Sequence, residues 1–221
     1  DKSGGTWVAT KTDGAFYLSH DSYHFNNVDG TLLGGDGLSH HSIWGITEYK
    51  DKLWLATHNG ITEVDLKTNI GKAYLKDYKV DLLTTEFTVY EITPYKDNLW
   101  LYTNRGLFIF DPVTHQVSEP KVHNPANQEL ITGRVHGVTL MPNGDLYFVH
   151  SDHGVFIYNI DSQVITRLGG QFDQFEPFLA HGFLPALSNK PDSPLFFNAG
   201  ILYQVNPSDL ALKMIYKVPK Q

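Results

Sequence analysis

Five glycines set the frame of this chain: Gly14, Gly60, Gly106, Gly154 and Gly200 follow one another at intervals of 46, 46, 48 and 46 residues. Around each of them the wording repeats. Residues 43–61 read IWGITEYKDKLWLATHNGI, and residues 89–107 read VYEITPYKDNLWLYTNRGL, so that Trp54 and Trp100 lie 46 residues apart, as do Gly60 and Gly106. A third copy runs through 135–139, 146–149 and 154–158, and a degraded fourth through 195–197 and 200–203. An incomplete copy opens the chain at 6–10 and 14–18. A repeat this regular restricts the fold to architectures in which one supersecondary unit stacks on the next.

Each unit reads as strands. Leu53-Trp54-Leu55-Ala56-Thr57 and Ile61-Thr62-Glu63-Val64-Asp65 flank His58-Asn59-Gly60, which predicts a hairpin with a three-residue loop and glycine at the positive-φ position. The run 43–49 joins that hairpin through the polar turn Lys50-Asp51-Lys52, and a fourth strand is expected near Ala73-Tyr74-Leu75. Four antiparallel strands in 46 to 48 residues match the blade of a β-propeller. Apolar residues on both faces of the first and second strands suit sheets sandwiched between neighbours. The recurrent Trp7, Trp54, Trp100 and Tyr147 are expected to pack between blades. Asp65, Asp111 and Asn159 recur where a turn should follow the third strand.

The expected fold is therefore all-β: a single β-propeller segment over 1–221, with about five consecutive four-stranded blades at 1–33, 34–78, 79–125, 126–170 and 171–221. The first blade lacks its innermost strand, and 212–216 supplies the last strand of the final one. Closed propellers usually complete one blade with strands from both termini. With no spare strand for this, the chain is expected to be part of a larger propeller; a compact ring tolerating one three-stranded blade is the alternative, at the cost of an uncovered edge.

The stretch Gly35-Asp36-Gly37-Leu38-Ser39-His40-His41-Ser42-Ile43-Trp44-Gly45-Ile46, continued by Leu53-Trp54-Leu55-Ala56-Thr57-His58-Asn59-Gly60-Ile61, resembles the two-component regulator propeller repeat. In that family a "G-L-x-x-N-x-V/I" opening leads to "G-x-L-W-I-G-T-x-x-G-L". Three positions depart from the pattern: His41 stands for the usual Asn, and Ala56 and Tyr102 for the usual Gly. The resemblance implies the periplasmic sensor region of a bacterial inner-membrane receptor, non-catalytic in itself. Its output domain would be a histidine kinase, with or without a fused response regulator, or a diguanylate cyclase. The partners implied are the remaining blades of the receptor, a small polar ligand and a second copy in a homodimer. Two alternatives stand beside it: a propeller lyase of the streptogramin-inactivating type, with His136 and Glu91 as acid/base candidates, and a protein-interaction scaffold. The wording that lyase family repeats is missing here, where Leu55-Ala56-Thr57 and Ile61-Thr62-Glu63-Val64 stand in its place.

Composition excludes several classes. The formal net charge of -7 and the absence of a basic run argue against nucleic-acid binding. With no cysteine there are no disulfides, zinc–thiolate sites or thiol nucleophiles, which also suits an oxidising compartment. No apolar run reaches the roughly 18 residues that span a bilayer. The chain opens mid-motif at Asp1-Lys2-Ser3, and its natural N-terminus is expected further upstream.

Eleven histidines raise the question of a metal. His20 and His24, His150 and His153 beside Asp152, and the adjacent His40-His41 are the groupings to weigh, yet none carries a third ligand at a diagnostic spacing, so no metal and no cofactor is expected. More informative are Trp44, Tyr90, His136 and His181, which occupy one register position in successive inner strands. Inner-strand entries surround one mouth of a propeller channel, where ligands meet loop-borne residues. With His40, His41, Glu86, Glu91, Arg134 and Glu176 nearby in sequence, this position offers aromatic, imidazole, carboxylate and guanidinium groups. Trp44, Tyr90, Glu91, Arg134, His136, His181 and His41 are the ligand-binding candidates, suited to a sugar or an organic acid.

Overall fold

The computed structural model describes residues 5–9, 14–18, 25–28, 33–79, 86–133, 135–175, 180–184 and 193–218; for Leu18 and the strands at 25–28 and 180–184 it describes the backbone alone. The chain divides into two compact units, 1–118 and 119–221.

The first unit carries three sheets. Strands β1 (Thr6–Ala9), β2 (Ala15–Leu18) and β3 (Phe25–Val28) form an antiparallel three-stranded sheet in that order. The second sheet runs β5 (Ile43–Tyr49), β6 (Lys52–Thr57), β7 (Gly60–Asp65) and β8 (Ile70–Tyr74). A two-residue strand, β4 (Gly34–Gly35), adds to β8 in parallel, so this sheet has five strands where four were expected. The third sheet holds β9 (Val89–Tyr95), β10 (Asn98–Thr103), β11 (Gly106–Phe110) and the short β12 (Val117–Ser118).

The second unit holds two four-stranded meanders. One is β13 (Val135–Leu140), β14 (Asp145–His150), β15 (Gly154–Asn159) and β16 (Val164–Leu168); the other is β17 (Ala180–Leu184), β18 (Leu195–Asn198), β19 (Ile201–Val205) and β20 (Leu212–Lys217). Two 3₁₀ turns, Pro125–Leu130 and Gly170–Gln174, precede β13 and β17. The first starts at Pro125 and is capped by Asn124, whose Oδ1 accepts from the Ala126 amide at 3.2 Å. These meanders are propeller blades, and the first blade has three strands among the described residues.

The marker glycines make the hairpins. Gly14, Gly60, Gly106, Gly154 and Gly200 all have φ between 80° and 105°. At Gly60 a Cβ would fall 2.3 Å from the Tyr74 carbonyl oxygen, so space and φ both demand glycine. The loop is shorter than the sequence suggests: Thr57 pairs with Gly60, which leaves a two-residue turn at His58-Asn59. The Thr57 hydroxyl donates to the Gly60 carbonyl at 3.0 Å and accepts from the Asn59 amide at 3.2 Å, tying the turn from inside. Thr103 repeats the device, donating to the Gly106 carbonyl at 2.9 Å.

Burial differs between strands in a way that matters for function. The second strands are buried on both faces: residues 53 to 57, 99 to 101 and 146 to 150 are all inaccessible. The inner strands are not. β5 buries its first residue alone, β9 its first and one further, and β13 its first and two further, and the rest of each is partly open or exposed, which corrects the expectation of apolar cover on both faces. Trp54, Trp100 and Tyr147 are buried as expected, while Trp7 is half-buried. Trp54 stacks on Tyr74 at 5.9 Å and meets Phe110 edge-on at 5.8 Å, within a cluster that includes Phe87, Val89, Leu101 and Phe108.

The third-strand Asx residues form the turns foreseen for them. Asp65 Oδ1 accepts from the Lys67 and Thr68 amides, and Asp111 Oδ1 from those of Val113 and Thr114. Asn159 accepts from Ser162, and Asn206 plays the same part in the last blade by accepting from Ser208.

Candidate functional site

Inner strands carry a bulge where the ligand candidates sit. In the β5–β6 ladder Ile43 pairs with Thr57 and Gly45 with Ala56, so Trp44 is the extra residue. In β9–β10, Val89 pairs with Thr103 and Glu91 with Tyr102, so Tyr90 is the extra one. In β17–β18, Ala180 pairs with Asn198 and Gly182 with Phe197, which leaves His181 extra. The β13 irregularity falls just after His136, at Gly137-Val138, where Gly137 has φ of 56°. A bulge bends its strand and re-aims the side chain it carries. Trp44, Tyr90 and His181 share a register position, as the sequence indicates, and the backbone device there is a finding of the structure.

In the first unit this device assembles an aromatic row. Trp44, 45% exposed, meets Tyr90 edge to face with ring centroids 5.5 Å apart. Tyr90 in turn lies 4.9 Å from Tyr102. Glu91 stands opposite Tyr102 in the ladder, and burial pushes its carboxyl above the ordinary range, with the Thr93 hydroxyl acting against the shift. Burial likewise raises the Tyr102 phenol well above its usual range, reinforced by Tyr90 and Glu91. The Tyr90 phenol is raised by burial alone. Gly45 lets the two inner strands approach, since a Cβ there would sit 2.8 Å from the Tyr90 carbonyl oxygen and 3.3 Å from the Glu91 Cα. The result is a partly open aromatic surface with one desolvated carboxyl at its edge.

Tyr102 is the member that sequence reasoning passed over. Its signal was present as a departure from the small residue usual at that repeat position, where the preceding blade has Ala56. A tyrosine replacing a glycine in a buried strand needs room and a neighbour, and Tyr90 supplies the neighbour.

The other candidates fall elsewhere. His41 lies in the exposed loop before β5, its ring 6.4 Å from that of His40. His40 accepts from the Ser42 amide through Nδ1 and faces His58 at 5.2 Å. His58 pairs with Glu86 at 2.6 Å through Nε2, while its Nδ1 lies 3.3 Å from the Thr88 hydroxyl. His41 therefore borders an imidazole–carboxylate group that links the β6–β7 turn to the segment before β9.

In the second unit the His136 Nδ1 lies 3.3 Å from the Ser151 hydroxyl. His150 and His153 stack at 4.5 Å, and burial, helped by His153, lowers the imidazole of His150. Arg134, Glu176, His20 and His24 lie outside the described residues, and of His181 the backbone alone is described. Among the described residues, no three His, Asp or Glu side chains gather as metal ligands.

No family model and no curated protein matches the sequence. Solved structures do match in fold. The extracellular domain of BT3049 from B. thetaiotaomicron, assigned as a hybrid two-component system, superposes with a TM-score of 0.66 at 17% identity, over 96% of this chain and 28% of that one. The extracellular domain of BT4673 from the same organism, assigned as a one-component system, gives 0.65 at 13% identity, over 96% and 34%. An ancestral GH74 enzyme gives 0.61 at 12% identity, over 96% and 29%. These likenesses establish the β-propeller fold, which sensors and enzymes share. This chain spans about a third or less of the length of each of these proteins.

Proposed function

We propose that this chain is the ligand-sensing part of a bacterial membrane receptor, held outside the cytoplasm in the periplasm, and that it performs no chemistry itself. The observation that carries the proposal is the bulge-aimed row of Trp44, Tyr90 and Tyr102 with the desolvated Glu91 beside it. Its support is the two-component repeat wording of 35–61 and the fold shared with two extracellular domains of assigned signalling systems. Aromatic faces offer stacking area at low entropic cost, and a carboxyl at their edge accepts or donates hydroxyl hydrogen bonds. That surface suits a sugar. An organic acid fits less well, since its charge would meet Glu91 once that group ionises. His41, in the loop before β5, is a further candidate contact in the first unit, and His136, His181 and Arg134 are candidates of the second unit by their sequence position. The receptor's remaining blades, and a second copy in a homodimer, are the protein partners in this reading.

The test is a thermal-shift screen of neutral sugars and small organic acids, run on the wild type and on Trp44→Ala. Mass action stabilises a bound fold by about 2.7 kcal/mol at a hundredfold excess over Kd, which a melting curve resolves easily. A sugar that raises the Tm of the wild type but not of Trp44→Ala supports the reading. Chelator-sensitive turnover of any tested compound would overturn the non-catalytic part of it.

A further inference from the structure

The second unit carries a cleft of about 440 Å³ between the 3₁₀ turn Pro125–Leu130 and the outer strand pair β15–β16. That size falls within the range of small-molecule sites. Its floor is one face of the sheet. Phe156 pairs with Arg167 and Tyr158 with Ile165, so Ile165 and Arg167, two residues apart on β16, stand on the same side. The segment before the turn is pinned to this sheet. The Tyr158 hydroxyl donates to the Lys121 carbonyl and the His123 amide to the Gln163 carbonyl, both at 2.7 Å. The Gln128 side chain donates to the Pro120 carbonyl at 2.9 Å, and fully buried Ile131 anchors the far end of the turn. Glu129 and Leu130 are thereby held at the cleft wall. Arg167 and Glu129 line the same space without pairing with each other. The Arg167 Nη2 lies 2.8 Å from Asp173 Oδ1, and its Nε donates to the His153 carbonyl at 3.4 Å. Asp173 is itself fixed, its Oδ2 accepting from the Gly170 amide at 2.7 Å.

We infer that this cleft binds a small zwitterion, an α-amino acid with an apolar side chain. The Arg167 guanidinium, oriented by Asp173 and the His153 carbonyl, presents its remaining N–H groups to the α-carboxylate. Glu129 accepts from the α-ammonium. Phe156, Ile165 and Leu130 cover the side chain, and Phe156 is already buried in the free protein, so this apolar floor is preformed. The charges around the cleft select for a ligand that carries both signs. A plain acid would set its carboxylate against Glu129 and Asp173, and a plain amine would leave Arg167 unanswered while facing its charge. A zwitterion satisfies both ends at once. The inference stands apart from what the aromatic row of the first unit binds.

The probes are leucine, its deaminated analogue isocaproate and its decarboxylated analogue isopentylamine, each titrated into the intact chain by calorimetry. Leucine should bind, and each analogue should bind about tenfold or more weakly, since each forfeits one charge-assisted contact. Glu129→Gln should weaken leucine by a similar factor without weakening isocaproate. Arg167→Gln should weaken leucine without weakening isopentylamine. Both side chains are exposed, and the carboxylate of Glu129 has no ion-pair partner among the described residues, so Glu129→Gln tests the site with the fold intact. Trp44→Ala should bind leucine as the wild type does. Absence of leucine binding at roughly millimolar concentration overturns the inference. So does equal affinity for leucine and either analogue. Loss of leucine binding in Trp44→Ala overturns it as well, because that would place the ligand on the aromatic row.

Discussion

Trp44 and Tyr90 are the bulge residues of consecutive inner strands, and their rings meet edge to face at 5.5 Å. Two residues 46 positions apart in sequence thus become neighbours through a backbone irregularity repeated in both ladders. What holds them at that spacing is Gly45, which brings the strands together one residue later.

Gly45→Val should therefore disturb both stability and site. A side chain there must move the Tyr90 carbonyl and the Glu91 backbone, and overpacking of this kind typically costs about 1–3 kcal/mol. Urea denaturation checks the cost. Hydrogen exchange should show the loss concentrated in β5 and β9.

Trp54 is buried at 2% exposure, yet its indole Nε1 has no hydrogen-bond partner among the described residues. Trp54→Ala should cost roughly 3–5 kcal/mol, as large-to-small changes in a core do. Trp54→Phe should cost clearly less, because it keeps an aromatic ring against Tyr74 and Phe110 and removes a buried orphan donor. Equal losses in the two variants, measured by chemical denaturation, would contradict this account.

Asp65 and Asp111 should dominate the acid limb of stability. The Lys52 ammonium, with the Thr68 and Lys67 amides, holds the Asp65 carboxyl well below the ordinary range. The Val113 amide, followed by the hydroxyl and amide of Thr114, lowers that of Asp111. Both are depressed in the fold, so their contribution is present above the unfolded value of about 4 and is lost as pH falls through the folded ones. Asp65→Asn keeps a turn acceptor but loses the Lys52 pair. It should flatten the decline of Tm between neutral pH and pH 3.

Glu91 runs the other way. Burial raises its carboxyl, so the fold favours the protonated form and loses stability as pH rises through the folded value. Glu91→Gln should raise Tm at pH 7 more than at pH 4. A variant that is less stable at pH 7 would show that the ionised carboxylate has a partner at its own site.

Much of the fold was legible because its signals are local and repeated. A glycine needed for positive φ cannot hide at five equivalent positions, and the Trp-bearing second strands read as buried because they are apolar on both faces. The candidate position was legible as a register position for Trp44, Tyr90 and His181, which stand at the same point of their strands, whereas His136 pairs with Val149 and the irregularity in its strand follows it. The bulges were not. A bulge adds one residue to a strand without changing its composition, so it leaves no mark on an alternation pattern. The parallel pairing of Gly34–Gly35 with β8 was invisible for a related reason, as it rests on backbone groups alone: the Gly34 amide donates to Asn69 O and the Asp36 amide to Gly71 O, both at 3.0 Å. Tyr102 was visible as an oddity but needed its neighbour Tyr90 to acquire a meaning.

The bulge separates where a side chain is aimed from what that side chain is. Backbone geometry does the aiming, so Trp44 and Tyr90 occupy the same post in consecutive blades without any change in the surrounding ladder, and the β17 backbone repeats the bulge. Such a surface can be re-lettered one codon per blade. A lineage could exchange one ligand for another while every hairpin, glycine and buried tryptophan stayed untouched, which uncouples the pace at which recognition drifts from the pace at which the scaffold does.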